Sequence, residues 1–397
     1  MTITAASKAA VSHLEGTFQQ EKRGSVMKVQ NTGFDRFVGN RIKLAREEIG
    51  LTQTEVAQKI GFNDRQTLGA IETGDRKIKV EELTALISIF DKPLDYFTDP
   101  FIIPPQEVEF SWRASAELAK LNEFEEKMRD ILAAYRHLGR LIGRPHIQVD
   151  QSIRVKKSDS FETVTFLGES LAETWNLGRF PAETLRSFLE NSLSILVLRV
   201  DADPDISGAV CRLPQFRSLL INRNEPAYRR NYDGAHELFH ILTWKSLPPS
   251  HREQLTIGGK YRPRKEKLAD AFAAGILMPR RSLAPLWKKR GGTVTEWINM
   301  VAPEFHVSGK VLYYRLLNLN WISKDDITSL DHLTSSEKNG YKDKDILPFS
   351  RIFTEKLHEA LDRGFISVRK LAKLLDYTIE DLAELFKIYG LPVPFAL

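Results

Sequence analysis

The chain has 397 residues, 42% of them apolar, with 57 Lys and Arg against 52 Asp and Glu and a formal net charge of +5. That length supports two or three domains with separate cores. No apolar run approaches the 18 or so residues of a membrane span, so none is expected. The single cysteine, Cys211, excludes an internal disulfide and a cysteine-built zinc cage. The first thirty residues carry no apolar segment of the signal-peptide kind, so a cytoplasmic, prokaryotic location is expected, nucleoid-associated when bound to DNA. Charge is uneven. Between Phe34 and Asp99 ten basic residues face twelve acidic ones, whereas Lys260–Arg290 holds ten basic and two acidic residues.

In chain order, residues 1–33 lack sustained periodicity and read as a flexible arm. Residues 34–99 read as an all-helical bundle. Phe37, Ile42, Leu44 and Ala45 give a first amphipathic helix. Thr52 with Glu55 three residues on forms a capping box for a second helix, which Gly61 ends. Asp64 caps a third helix, Arg65 to Glu72, which stops at Gly74. Two short helices joined by a tight turn make a helix-turn-helix. The string Leu51-Thr52-Gln53-x-Glu55-Val56-Ala57-x-x-Ile60-Gly61, followed by Ile71-Glu72-x-Gly74 and Leu94-x-x-Phe97, resembles the Xre/Cro/C1 family of repressor domains. The resemblance implies binding to double-stranded, operator-like DNA. Thr52 and Gln53 would meet phosphate, and Arg65, Gln66 and Thr67 would face base edges. Arg76, Lys77 and Lys79 would add phosphate contacts. This chain departs from a reading helix at Gly69 and Ala70, which offer no hydrogen-bonding side chain. A protein-interaction module on the same fold is the alternative.

Residues 100–150 open with a Pro-containing linker. A long connector or dimer helix follows, from about Ala114 to Leu141, with Leu118, Leu121, Phe124, Met128, Ile131, Leu132, Tyr135 and Leu138 at intervals of three or four. Residues 151–325 read as an α+β domain. Helices at about 161–175 and 182–191 precede β-type runs at 194–200, 208–212 and 217–222, which fit a small antiparallel sheet.

The next helix carries the chemistry. Within Asn231–His240, His236 and His240 stand at i and i+4 on one helical face, so both imidazoles can point at one ion. Glu237 sits one residue round, where it reaches a water rather than the metal. Two imidazoles and a carboxylate suit one open, catalytic Zn²⁺. The Ala-rich helix ending at Pro279 supplies the missing ligand, Glu266, and Asp270 at i+4 from it, placed to accept the outer N–H of a ligating histidine. This spacing is similar to that of thermolysin-like zinc peptidases.

A wider set of residues resembles the ImmA/IrrE family of zinc metallopeptidases. It comprises Ile206-Ser207-Gly208, Leu220-Ile221-Asn222, Arg229-Arg230, Ala235–His240, Glu266-x-x-Ala269-Asp270-x-Phe272-Ala273 and Leu277-Met278-Pro279, with Val307-Ser308 and Arg315-Leu316 toward the end. The resemblance implies a zinc endopeptidase that cleaves an Xre-type repressor and relieves repression in a stress or mobile-element response. Family members often have Asn at the place of Asp270 and Gly at the place of Phe239, and the bulky Phe239 is expected to narrow the cleft. Tyr232, Arg229, Arg230 and His251 are the candidates for stabilising an oxyanion. Residues 326–345 read as a polar linker. Residues 346–397 read as a helical C-terminal domain of packing or regulatory role.

The expected architecture is a mostly helical α+β chain: an N-terminal helix-turn-helix bundle, a zincin-like domain with a small antiparallel sheet, and a helical appendage. Two other readings stay open. One is a non-proteolytic transcription factor with structural or sensory zinc. The other is an antitoxin-like binding module.

Overall fold

The computed structural model describes residues 32–104, 107–114, 117–145, 151–213, 216–253, 263–327, 329–333 and 349–396. Nearly all of the expected arm and most of the expected 326–345 linker lie outside these residues. The chain divides into two compact units, Met1–Thr98 and Asp99–Leu397. Both the mostly helical α+β class and the helix-turn-helix are as expected.

The smaller unit consists of α1 (Thr32–Glu48), α2 (Gln53–Ile60), α3 (Arg65–Thr73), α4 (Val80–Phe90) and α5 (Leu94–Thr98). Its boundaries follow local chemistry. Thr52 accepts from the Glu55 N–H while the Glu55 carboxylate accepts from the Thr52 N–H, a closed capping box. Asp64 accepts from the Thr67 N–H at the start of α3. Gly74 ends α3 at φ 79°, and a Cβ there would come within 2.5 Å of the Arg36 backbone, so only glycine fits. Ile42, Val56, Leu68, Ile71, Leu86 and Phe97 fill the core.

The larger unit is built round a five-stranded mixed sheet. Its strands are β1 (Glu109–Ala114), β2 (Leu196–Val200), β3 (Ile206–Leu213), β4 (Phe216–Asn222) and the two-residue β5 (Arg252–Glu253), in the order β2-β4-β3-β1-β5. The expected antiparallel sheet is therefore corrected. β1 and β4 run antiparallel to β3, but β2 pairs with β4, and β1 with β5, in parallel. Helix α8 (Pro181–Ser192), which precedes β2, packs against it.

Alternation along the strands gives the sheet two apolar faces. Val197, Val210, Leu219 and Ile221 face a layer containing α7 (Phe161–Thr174), α9 (Ala227–Thr243), α10 (Arg264–Leu277) and the later helices α11 (Arg280–Lys288), α12 (Val294–Glu304) and α13 (Gly309–Asn318). Leu198, Ala209, Cys211 and Leu220 face a second layer containing α6 (Leu118–Leu141), α14 (Arg351–Asp362), α15 (Val368–Leu375) and α16 (Ile379–Ile388). Between the expected Pro-containing linker and the long helix, which begins at Leu118 and not at Ala114, lies a strand of the central sheet. The expected connector and C-terminal helices are one continuous layer over that sheet. Among the described residues no helix is long and apolar enough to cross a membrane.

Helices α7 and α10 approach closely through Gly168 and Gly275. A Cβ on Gly275 would stand 2.1 Å from the Thr165 carbonyl oxygen, and one on Gly168 would stand 2.5 Å from that of Phe272. This contact, with α10 packed across α9, fixes where the first turns of α10 lie.

Candidate metal centre

Helix α9 is buried all round from Ala235 to Thr243, and its apolar residues Ala235, Leu238, Phe239, Ile241 and Leu242 pack into the core. A polar face within it carries His236 and His240, with their Nε2 atoms 3.3 Å apart. Glu266, in the first turn of α10, brings Oε2 to 3.0 Å from His236 Nε2 and Oε1 to 3.5 Å from His240 Nε2. These three side chains offer ligand atoms within 4.8 Å of one another, and all three are buried. His236 Nδ1 stands 3.0 Å from Asp270 Oδ1, as the spacing in α10 predicts. Glu237 is 2% exposed. A Cβ on Gly208 of β3 would lie 3.7 Å from its Cγ, so the carboxylate's stem rests against that strand.

Glu266 Oε1 and His240 Nδ1 have no hydrogen-bond partner among the described residues, though both are buried. Two imidazole nitrogens and a carboxylate turned toward one point, with an oxygen left unsatisfied, suit a divalent ion of the zinc type. Burial and the Arg113 charge push the His236 pKa down, but the Asp270 and Glu266 carboxylates more than offset them and hold it at about 9. Burial raises the Glu266 carboxyl, yet the two histidines draw it well below the carboxylate range. Both shifts have one cause, the closeness of the imidazoles to the carboxylate, and a divalent cation bound there would favour the neutral imidazoles and the ionised carboxylate. Burial raises the Glu237 carboxyl above its ordinary value.

Other sequence candidates are placed differently. Phe239 is fully buried and packs on Phe272, with ring centroids 5.6 Å apart, so it belongs to the core and not to the cleft. Arg230 donates to the Arg223 and Glu225 carbonyls. Arg229 reaches Glu225 at 3.2 Å and Ser207 at 3.1 Å, and His251 stands 3.0 Å from Glu125. Tyr232 Oη donates to the Asp270 carbonyl at 3.2 Å.

In the smaller unit Arg65 and Gln66 lie exposed on the first turn of α3, and Thr67 beside them donates its hydroxyl to Asp64. Gln53 is committed inward. Its Nε2 donates at 2.8 Å to Glu72, whose carboxylate also takes two hydrogen bonds from Arg46 at 2.6 and 3.1 Å. Thr52 is exposed but closes the capping box, and Arg76 is paired with Glu82. Lys77 and Lys79 are exposed.

Arg113 and Asp233 belong to none of the motifs in the sequence. Arg113, on β1, makes an ion pair with Asp233, which is 2% exposed and one helical turn before Glu237. The signal available was the alternation of Phe110 and Trp112 with Ser111 and Arg113, which is that of a half-buried strand.

Residues 190–317 match the family model described as the IrrE N-terminal-like domain of the M78 peptidases, and residues 42–97 match a helix-turn-helix model. Both matches fall where the sequence resemblances place them. The chain therefore joins a helix-turn-helix to a domain of a peptidase family. No curated protein matches the chain.

Proposed function

We propose that this protein is a DNA-binding regulator whose larger unit is a zinc-dependent endopeptidase, with an Xre-type repressor as substrate. The observation that carries the reading is the convergence of His236, His240 and Glu266 beside a buried carboxylate, Glu237, that joins none of their contacts. A structural zinc site has no use for that extra carboxylate, whereas peptide hydrolysis needs a general base. Zinc held by His236, His240 and Glu266 would supply a Lewis acid that acidifies water and polarises a peptide carbonyl.

The chain's own groups do the rest. Burial raises the Glu237 carboxyl, which suits it to take a proton from water and return it to the leaving amine. Asp270, accepting from His236 Nδ1–H, would fix the tautomer that leaves Nε2 as the nitrogen for the ion. In the smaller unit, Arg65 and Gln66 are the groups for base edges, and Lys77 and Lys79 for phosphates. Gln53 serves instead to hold Glu72. A prokaryotic cytoplasm suits both activities.

The test incubates zinc-loaded protein with co-encoded Xre-type repressors, comparing wild type with Glu237→Gln. The expected result is cleavage that falls by about 10²–10⁴-fold in the variant, the usual worth of a general base, with zinc stoichiometry unchanged. Absence of cleavage of every partner and of the chain itself, with zinc bound, overturns the proposal.

A further inference from the structure

The metal centre is sealed. His236, Glu237, His240 and Glu266 are 0%, 2%, 1% and 4% exposed. No peptide carbonyl reaches them in this arrangement, so an element must move for the proposed reaction.

Strand β1 is that element on geometric grounds. Its register on β3 pairs Ser111 with Val210 and Arg113 with Gly208, and Val210 and Gly208 face α9. Side chains alternate along a strand, so Glu109, Ser111 and Arg113 face the same way. All three are tied to α9 or the chain just after it. Glu109 accepts from Trp244 Nε1 at 3.1 Å, Ser111 Oγ donates to the Ser250 carbonyl at 2.6 Å, and Arg113 pairs with Asp233. Asp233 and Trp244 are about 16 Å apart along the helix at 1.5 Å per residue. Glu109 to Arg113 spans about 13 Å of strand. The strand therefore runs beside the C-terminal two-thirds of α9, and His236 and His240 lie between its two end contacts. Among the described residues β5 pairs with it at two positions, and its register on β3 shifts at Ala114.

We infer that the β3 edge beside Glu237 is a docking edge for an extended peptide, that β1 occupies it as a built-in stand-in, and that Asp233 is the recess for a basic side chain of the peptide that replaces it. This rests on the endopeptidase reading and names its substrate class: a segment that adds to β3 as a strand and offers arginine or lysine to Asp233. The occupant already present shows the chemistry. A buried carboxylate one turn from Glu237 holds a guanidinium carried on an extended chain. Main-chain pairing supplies affinity in such strand addition, and the side-chain recess supplies selectivity. Arg229 approaches the second Asp233 oxygen at 3.6 Å and keeps that recess polar when β1 leaves.

The test uses full-length, zinc-loaded Glu237→Gln protein, which binds without turning over. The probe is a fluorescein-labelled hexapeptide Glu-Phe-Ser-Trp-Arg-Ala, the sequence of β1, beside an analogue with norleucine for arginine. Adding Arg113→Ala is expected to tighten binding of the arginine peptide by at least about tenfold, and to speed amide exchange over residues 109–114 by a similar factor. The norleucine peptide is expected to bind about tenfold more weakly, and Asp233→Asn to erase that difference. If Arg113→Ala does not fold, Arg113→Met keeps the aliphatic length and loses the charge. Equal peptide affinity with and without Arg113, or equal affinity for the two peptides, overturns the inference. Docking without cleavage by wild type sinks the proposed activity and leaves this edge standing. Cleavage without arginine preference sinks this inference alone.

Discussion

Lys356 on α14 shows how a single buried charge sets a pH dependence far from the metal centre. It is 7% exposed, and its ammonium sits 4.1 Å from the centre of the Tyr135 ring. Among the described residues no carboxylate lies within ion-pair distance of it. Burial, helped by the Arg144 charge, holds its pKa down at about 8 against an ordinary 10.5. Between those values the unfolded chain binds a proton that the folded chain does not, so stability rises with pH across that window and is lost below it. Lys356→Met removes the titration and keeps the length. The variant's stability advantage over wild type is expected to shrink by roughly 2 kcal/mol from pH 7 to pH 10.5, after allowance for partial solvent screening. Urea titrations at the two pH values check it, and a constant difference refutes it. At this scale the candidate site was largely legible. His236 and His240 share one face of a helix with Glu237 one residue round, and Glu266 and Asp270 share a face of another, so spacing alone groups each set. Arg113 and Asp233 were not legible as a pair, because 120 residues separate them and only the sheet brings them together.

Elements of the smaller unit were legible down to their ends, because caps are local. Thr52, Glu55, Gly61, Asp64 and Gly74 each act within four residues of themselves. The inward contact of Gln53 was not legible, for the complementary reason. Its partner, Glu72, is 19 residues away and belongs to a three-residue cluster with Arg46 that ties α1, α2 and α3 together. The Arg46 side chain is 10% exposed and that of Glu72 is 3% exposed, and two hydrogen bonds join them. Removing one partner leaves the other's charge buried and uncompensated, which costs about 3–5 kcal/mol. Glu72→Ala is therefore expected to unfold most of the helix-turn-helix unit at 37 °C while the larger unit stays folded. Amide exchange in the full chain reads this directly. Protection should be lost over α3 and kept over α9; retained protection in α3 would mean that the cluster contributes little.

Across the whole molecule, the sheet explains what composition and periodicity left open. Every residue of β4 is buried, which says that something covers both of its faces. Nothing in the run says which helices do so. One cover is the layer of α9 and α10, which follow it in sequence. The other comes from the two ends of the unit, with α6 before the domain matched to the M78 peptidases and α14 to α16 after it. A tail read as an appendage is thus half of a core. Phe353, Leu357, Leu371, Leu382 and Phe386 are at most 1% exposed and pack in the same cluster as Leu198, Cys211 and Leu220 of the sheet. At about 1.5–3 kcal/mol each, five such side chains contribute roughly 10 kcal/mol, as much as the whole net stability of a typical domain. Deleting residues 346–397 is therefore expected to abolish zinc binding as well as the fold, since β3 and β4 support α9 from the opposite face. Deleting residues 1–98 should leave zinc stoichiometry and the amide protection of α9 intact, because that cut falls between compact units. The two truncations, compared by zinc content and amide exchange, separate a core from an attachment. A soluble 1–345 fragment with one zinc per chain would show that the second layer is dispensable to the metal-bearing one.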